Sequence, residues 1–334
     1  MMQMIEKTKL QKNAGRVLSF IKNYLVLVSI VSLVMITIIV EPKFLTQPNL
    51  INIIRQFGPL AFFSLGMTFV IICGFIDLSI PGIISLVVIV TYSLIEPLGQ
   101  YAAIAAGILV GIIAGYINSR LIISCGALTN AEALFITFGM STVYGAIALI
   151  IAAGKTGHLS WIEKDTSAFS FIAQGGFGDF LSFSFLLFIL CLVILYIFQS
   201  KTFLGNTIFL TGGNKTAARL SGINTFKSIQ TVFIISGLMS AIGAVVLLSR
   251  ITTASPVVGR NYDTNAILAV VVGGTRLTGG QGSVLRTVLG VLLITLMSNC
   301  LDLLGVSPFM QTMLRGLILV IVIWIDYRNQ GGKQ

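Results

Sequence analysis

Apolar runs separated by polar links set the pattern of this chain. They fall at residues 24–40, 49–73, 83–95, 101–123, 131–153, 183–198, 229–249, 265–272, 285–304 and 309–325. A helix needs roughly 20 apolar residues to cross about 30 Å of hydrocarbon, and most of these runs approach that length. The pattern predicts an all-α, polytopic membrane protein with about ten transmembrane helices, some of them broken. Glu41-Pro42 closes the first run, Pro48 opens the second, and Gly58-Pro59 is expected to interrupt it. The chain divides into an N-terminal segment (1–23), one transmembrane domain (24–326) and a short tail (327–334).

Two links are long. The first, 154–182, holds His158, Trp161, Glu163, Asp165 and Asp179. The second, 200–228, is the longest polar, basic interruption of the chain. Within it, residues 214–220 read as a short helix: Asn214 can cap it, Ala217 and Ala218 favour it, and Gly222 ends it. Lys215, Arg219 and Lys227 are expected on this helix, which suits a docking point for another protein. The plain counterpart is a solvated loop with a chance helical turn.

Two apolar runs also end alike. Val70-Ile71-Ile72-Cys73-Gly74-Phe75-Ile76-Asp77-Leu78-Ser79 pairs with Ala269-Val270-Val271-Val272-Gly273-Gly274-Thr275-Arg276-Leu277-Thr278. Each is an apolar stretch broken by glycine and polar residues, which predicts two related halves. Irregular backbone at membrane depth must be buried in protein or line a cavity, so paired breaks point to a transport site. A Val/Ile/Gly-rich alphabet also produces such matches by chance.

Composition agrees with the spans. Charged residues make up 10% of the chain and mean hydropathy is +0.98, whereas a soluble domain carries about 25% charged residues. The net charge of +10 does not imply nucleic acid, because the basic residues sit in the links with no aromatic–basic stripe. Cys73, Cys125, Cys191 and Cys300 lie in or beside apolar runs without CxxC spacing and read as small core residues. The first run has basic residues before it and no small-residue cleavage site after it, so a retained helix is expected.

Basic residues in short links orient the spans. With the N-terminus inside, the inner side receives Lys7, Lys9, Lys12, Arg16, Lys22, Arg120, Lys201, Lys215, Arg219, Lys227, Arg276, Arg286, Arg328 and Lys333. The outer side keeps Lys43, Arg55, Lys155, Lys164, Arg250 and Arg260. Fourteen against six favours both termini and link 200–228 in the cytoplasm, with 154–182 outside.

Several ordered motifs carry a family likeness. Asn49-Leu50-Ile51-Asn52-Ile53-Ile54-Arg55-Gln56, then Leu65-Gly66-Met67-Thr68-Phe69-Val70-Ile71 and Ile76-Asp77-Leu78-Ser79, resemble the permease subunits of ribose-type ABC sugar importers. Residues 212–223, 269–282 and Leu304-Gly305-Val306-Ser307-Pro308-Phe309 resemble the same family. The likeness covers about residues 42–326. It departs at Pro81, at Asn118-Ser119, and at Glu132-Ala133-Leu134-Phe135, where the family often has Pro-Pro-Phe-Ile.

The resemblance implies a subunit of the bacterial inner membrane that pairs with a second copy or a sister permease. It also implies cytoplasmic ABC ATPase subunits and an extracytoplasmic sugar-binding protein as partners. The chain has no Walker A pattern, so no cofactor is expected in it, and ATP and Mg²⁺ are expected on the ATPase. Gly212, Gly213, Asn214, Ala217, Ala218, Arg219 and Gly222 match that family's cytoplasmic coupling segment.

Individual residues refine this reading. An ionisable group inside a membrane is a functional candidate, since burying it costs about 3 kcal/mol even on lenient scales. Asp77 is therefore either a sugar contact or a carboxylate capping the span that starts near Ser79. Glu132 reads as a helix-start charge, and Arg315 needs an acceptor for which Asp302 is a candidate. Ser79, Asn118, Phe135, Thr137 and Asn299 are candidate pathway residues, with helix–helix bonding as the alternative for the polar ones. His158 reads as a surface residue, and Trp161 and Trp324 as interfacial anchors. No catalytic set is visible, which disfavours an intramembrane enzyme. Few intramembrane acids are available for an ion-coupled transporter. The expected function is import of a monosaccharide, with nucleosides or branched-chain amino acids as the alternative substrates.

Overall fold

The structure, a computed structural model, describes residues 25–127, 129–177 and 181–331. The predicted N-terminal segment, Asp179 and residues 332–334 lie outside these. The described chain forms α1 (Leu25–Val40), α2 (Gln47–Ile72), α3 (Ile80–Leu98), α4 (Gln100–Ser124) and α5 (Asn130–Ile151). After link 154–182 come α7 (Phe183–Lys201), α8 (Phe203–Gly213), α9 (Lys215–Leu220) and α10 (Thr225–Ile251). The chain continues with α11 (Tyr262–Val272), α12 (Val284–Leu303) and α13 (Pro308–Gly331). Among the described residues seven helices are long and apolar enough to cross a membrane: α2, α3, α4, α5, α7, α10 and α12. Apolar stretches of α1, α11 and α13 are shorter, at Leu27–Val40, Tyr262–Val272 and Pro308–Ile321.

The core forms around α2 and α10. Phe62, Phe63 and Phe69 of α2 and Phe233 of α10 are fully buried, and α10 packs against α2, α3 and α4. Lipid offers no hydrophobic drive between helices, so small residues that allow close approach decide which faces meet. Gly111 and Gly115 of α4 lie against Gly237 of α10; a Cβ on Gly115 would collide with the Phe233 carbonyl. The glycine spacing of four residues puts both on one face of α4.

Gly58-Pro59 does not interrupt α2, contrary to the expectation. The helix runs unbroken from Gln47 to Ile72 with Pro59 inside it. Gly58 and Pro59 are buried, and neighbouring helices hold the segment where proline removes one backbone bond. Cys125 is exposed, so only Cys73, Cys191 and Cys300 are the buried residues expected.

The link 154–182 is partly folded. It carries β1 (Gly157–His158), α6 (Ser167–Gln174) and a hairpin of β2 (Gly176–Phe177) with β3 (Leu181–Ser182). β1 pairs antiparallel with β4 (Thr253–Ala254), which follows α10. His158 is half-buried there, with Nε2 2.9 Å from Thr252 Oγ1 and Nδ1 2.7 Å from Ser160 Oγ. It ties the link to the end of α10 and is not the free surface residue expected.

Candidate functional site

The paired breaks share one backbone motif. At the end of α2, Phe75 N donates to Val70 O (3.1 Å) and Gly74 N to Ile71 O (2.9 Å), with Gly74 at φ +83. At the end of α11, Thr275 N donates to Val270 O (3.2 Å) and Gly274 N to Val271 O (2.8 Å), with Gly274 at φ +89. Both are Schellman ends, in which a left-handed glycine lets two amides reach back to orphan carbonyls. The equivalent residues are therefore Gly74 and Gly274. The sequence pairing set Gly74 against Gly273 and is corrected by one position; Gly273 occupies the place of Cys73, because only the second glycine takes the left-handed conformation.

Five of the six candidate pathway residues are buried and bonded to one another or to nearby helices. Asp77 is fully buried. Its Oδ1 accepts from Ser79 N (3.0 Å) and Ser79 Oγ (2.5 Å), and its Oδ2 from Ser236 Oγ (2.7 Å). Asn118 Nδ2 donates to Ser79 Oγ (2.7 Å), and Tyr144 OH donates to Asn118 Oδ1 (2.9 Å). This buried network joins the first break to α3, α4, α5 and α10. Thr137 Oγ1 accepts from Leu78 N (3.1 Å) and so braces the same break from α5.

Asn299 of α12 exchanges two bonds with Asn49 of α2, at 2.8 and 3.0 Å. That is helix-to-helix bonding far from the break. Phe135 stands apart: it is 73% exposed on the outer face of α5. Ser236, Tyr144 and the bonding role of Asn49 escaped sequence reasoning, because a polar side chain in an apolar helix gives no sign of its partner.

The coupling segment folds as expected at its ends. Asn214 caps α9 by accepting from Ala217 N (2.9 Å), and Gly222, at φ +78, closes it with Ile223 N donating to Ala218 O (3.0 Å). Lys227 is not on this helix but in the first turn of α10. Ala218 is 4% exposed, so its side chain faces the chain and not a partner. Arg219 also turns back: its Nε donates to Thr225 Oγ1 (3.1 Å) and its guanidinium lies 4.8 Å from the Phe226 ring centre. The outward positions are Thr216, Ala217 and Leu220, the last 85% exposed, and Arg219 stays exposed despite these contacts.

The helix α8, which was not predicted, brings this segment to both breaks. At its end Gly212 and Gly213 lie backbone to backbone against Gly74, Gly279 and Gly280. Gly280 N donates to Ile72 O (2.8 Å), the orphan carbonyl at the end of α2. Lys215 Nζ sits 3.7 Å from the centre of the buried Phe75 ring, just past the first break. Partial burial holds this ammonium below the usual lysine range. Gln199, at the end of α7, accepts from Val284 N (3.0 Å) and donates to Gly282 O (3.1 Å), anchoring the far side of the loop.

The opposite ends of α10, α11, α12 and α13, with α2, line an open polar cavity of about 320 Å³. Arg315 and Asp302 both line it but are not directly bonded: Arg315 reaches Asn265, Ser298 and Gln311, and Gln311 in turn donates to Asp302 (2.7 Å). Glu132 forms a capping box with Thr129, as the helix-start reading expects.

A family model described as the branched-chain amino acid transport system / permease component matches residues 49–323. The chain is 35% identical over 300 residues to a ribose import permease protein of Bacillus subtilis, covering 89% of this chain and 90% of that one. It is 31% identical over 306 residues to a ribose import permease protein of Haemophilus influenzae, covering 90% and 91%. Over 296 residues it is 32% identical to an L-arabinose transport system permease protein of Escherichia coli, covering 88% and 87%. No solved structure matches significantly.

Proposed function

This chain belongs to the permease family of ribose-type ABC importers, and from that premise we propose that it is the membrane-spanning subunit of an ATP-driven monosaccharide importer. ATP and Mg²⁺ bind to partner ATPase subunits on the cytoplasmic side. An extracytoplasmic binding protein delivers the sugar, and a second permease, with the exposed Phe135 face of α5 towards it, completes the pathway. Both termini and α9 are cytoplasmic, and link 154–182 is outside. The observation that carries this reading is the meeting of the end of α8, from which α9 follows directly, with both breaks at Gly74, Gly212 and Gly280. A partner pushing on α9 thereby acts on the two irregular segments at once, through backbone contacts that have no side chain to yield.

The reading is tested in vesicles holding this chain, its ATPase and its binding protein. ATP-dependent accumulation of ribose, xylose or arabinose is expected. The description of the family model favours branched-chain amino acids as the second reading, and uptake of leucine with no sugar uptake would establish it instead.

Docking has its own test. Leu220→Asp places a charge on the most exposed apolar side chain of α9. It is expected to abolish co-purification of the ATPase while membrane accumulation stays at the wild-type level. Retained co-purification and uptake would leave α9 a solvated link. For orientation, cysteines at Trp161 and Thr216, both exposed, are placed in a chain whose own cysteines are replaced. An impermeant reagent on intact cells is expected to label position 161 and not 216; the reverse would overturn the topology.

A further inference from the structure

The polar cavity at the end away from the glycine junction has donors and acceptors that the protein itself leaves unused. Arg315 directs its terminal nitrogens to neutral groups: Asn265 Oδ1 (3.5 Å), Ser298 Oγ (3.1 Å) and Gln311 Oε1 (3.0 Å). Its Nε is buried without a partner. Gln56 Oε1 and Thr295 Oγ1 are also buried and unpartnered, and Thr295 as a whole is 3% exposed. All three orphaned atoms belong to side chains that line this one cavity. Arg250, half-buried in the same wall, has no hydrogen-bond partner among the described residues.

Charge is unbalanced in the same direction. Asp302 is the carboxylate in the lining, and it already accepts from Gln311 Nε2 (2.7 Å) and Gln56 Nε2 (3.5 Å). Arg250 and Arg315 therefore face the cavity with more positive charge than the protein neutralises. Leaving a partly buried charge without a counter-charge is costly, and water supplies hydrogen bonds but no net charge. A guanidinium fork matches a carboxylate in two parallel bonds. Gln56 Oε1 requires a donor, and Thr295 Oγ1 can donate or accept, as hydroxyl groups on one ligand allow. The volume lies at the small end of ligand pockets, about 300–1,000 Å³.

We infer that this cavity is a binding site for a small hydroxylated carboxylate, a sugar acid, whose anionic group is held by Arg315 and Arg250 and whose hydroxyls meet Gln56 and Thr295. The inference deepens the importer reading by naming an acidic sugar as a solute. Binding to the isolated chain nonetheless needs neither ATPase nor binding protein, so the two readings fail separately.

The test is calorimetric titration of the purified full chain in phosphatidylcholine nanodiscs. The probes are galacturonate and gluconate, with galactose as the neutral control. One of the two acids is expected to bind at least tenfold more tightly than galactose. Arg315→Gln and Arg250→Gln are each expected to weaken that binding roughly tenfold or more. Because Arg250 carries a charge and no hydrogen-bond partner among the described residues, the thermal midpoint of Arg250→Gln should not fall, whereas Arg315→Gln also loses the bonds to Asn265, Ser298 and Gln311.

Failure of both acids to bind overturns the inference, as does galactose binding equally well and indifferently to the arginine variants. A third outcome also overturns it: phosphatidylglycerol in the nanodiscs displaces the acid and raises the thermal midpoint only when both arginines are present. The cavity would then hold a lipid headgroup. In none of these cases is ATP-driven uptake of pentoses affected.

Discussion

Gly212→Ala is expected to abolish uptake and to lower the amount of folded chain in the membrane, whereas Gly213→Ala is expected to leave both near wild type. The two residues are neighbours of identical composition, and only their surroundings differ. A Cβ on Gly212 would collide with the carbonyl oxygen of Ile72 and stand 2.8 Å from Gly280 N. A Cβ on Gly213 would find its nearest neighbour at 4.0 Å, ordinary contact. Backbone atoms cannot rotate away as a side chain can, so the first substitution must separate α8 from the end of α2. That separation breaks the Gly280 N to Ile72 O bond. Overpacking costs typically about 1–3 kcal/mol, occasionally more. Immunoblots of membranes, thermal midpoints of the purified chain and vesicle uptake together measure the effect. Wild-type uptake by Gly212→Ala would show that the junction does not join α9 to the breaks.

Asp77→Ala is expected to fail at the level of membrane accumulation rather than at transport alone. The carboxylate accepts three bonds, from Ser79 N, Ser79 Oγ and Ser236 Oγ, in a fully buried position. Removing it leaves those donors without an acceptor, at about 1–3 kcal/mol for each group that finds no other. A hydroxyl can turn towards another acceptor, but the backbone amide of Ser79 is fixed. Asp77→Asn keeps one acceptor oxygen and is expected to be intermediate in yield. An Asp77→Ala chain that accumulates with an unchanged thermal midpoint but imports nothing would make Asp77 a pathway group after all.

Much of the first break was legible in the chain. The glycine after an apolar run suits a Schellman end, and an Asp two residues before a Ser suits a local turn; Asp77 holds the Ser79 amide in this way and does not cap the helix, whose N-cap Ser79 makes no side-chain cap bond. The wider network was not legible. Ser236 is 159 positions from Asp77, and Asn299 is 250 from Asn49. In an apolar helix every serine or asparagine looks alike until the packing of glycine faces, as at Gly115 and Gly237, decides which helices touch. Ala218 shows the same limit on a smaller scale. Its place on α9 was predicted, but which face α9 buries depends on α8 and α10.

What the sequence by itself determined is the set of local outcomes. These are most of the long apolar helix spans, the caps at Asn214 and Gly222, the glycine breaks that follow two apolar runs, and the membrane as solvent. Apolar run length and backbone hydrogen bonding act over a few turns and leave little choice. Only the tertiary structure decided that Gly212 and Gly280 meet at the end of α2. It alone also turned five candidate pathway residues into buried bonding groups and left Arg250 and Arg315 facing one cavity. Those outcomes depend on which helix faces approach, and close packing between distant segments is a property of shape that no single segment carries.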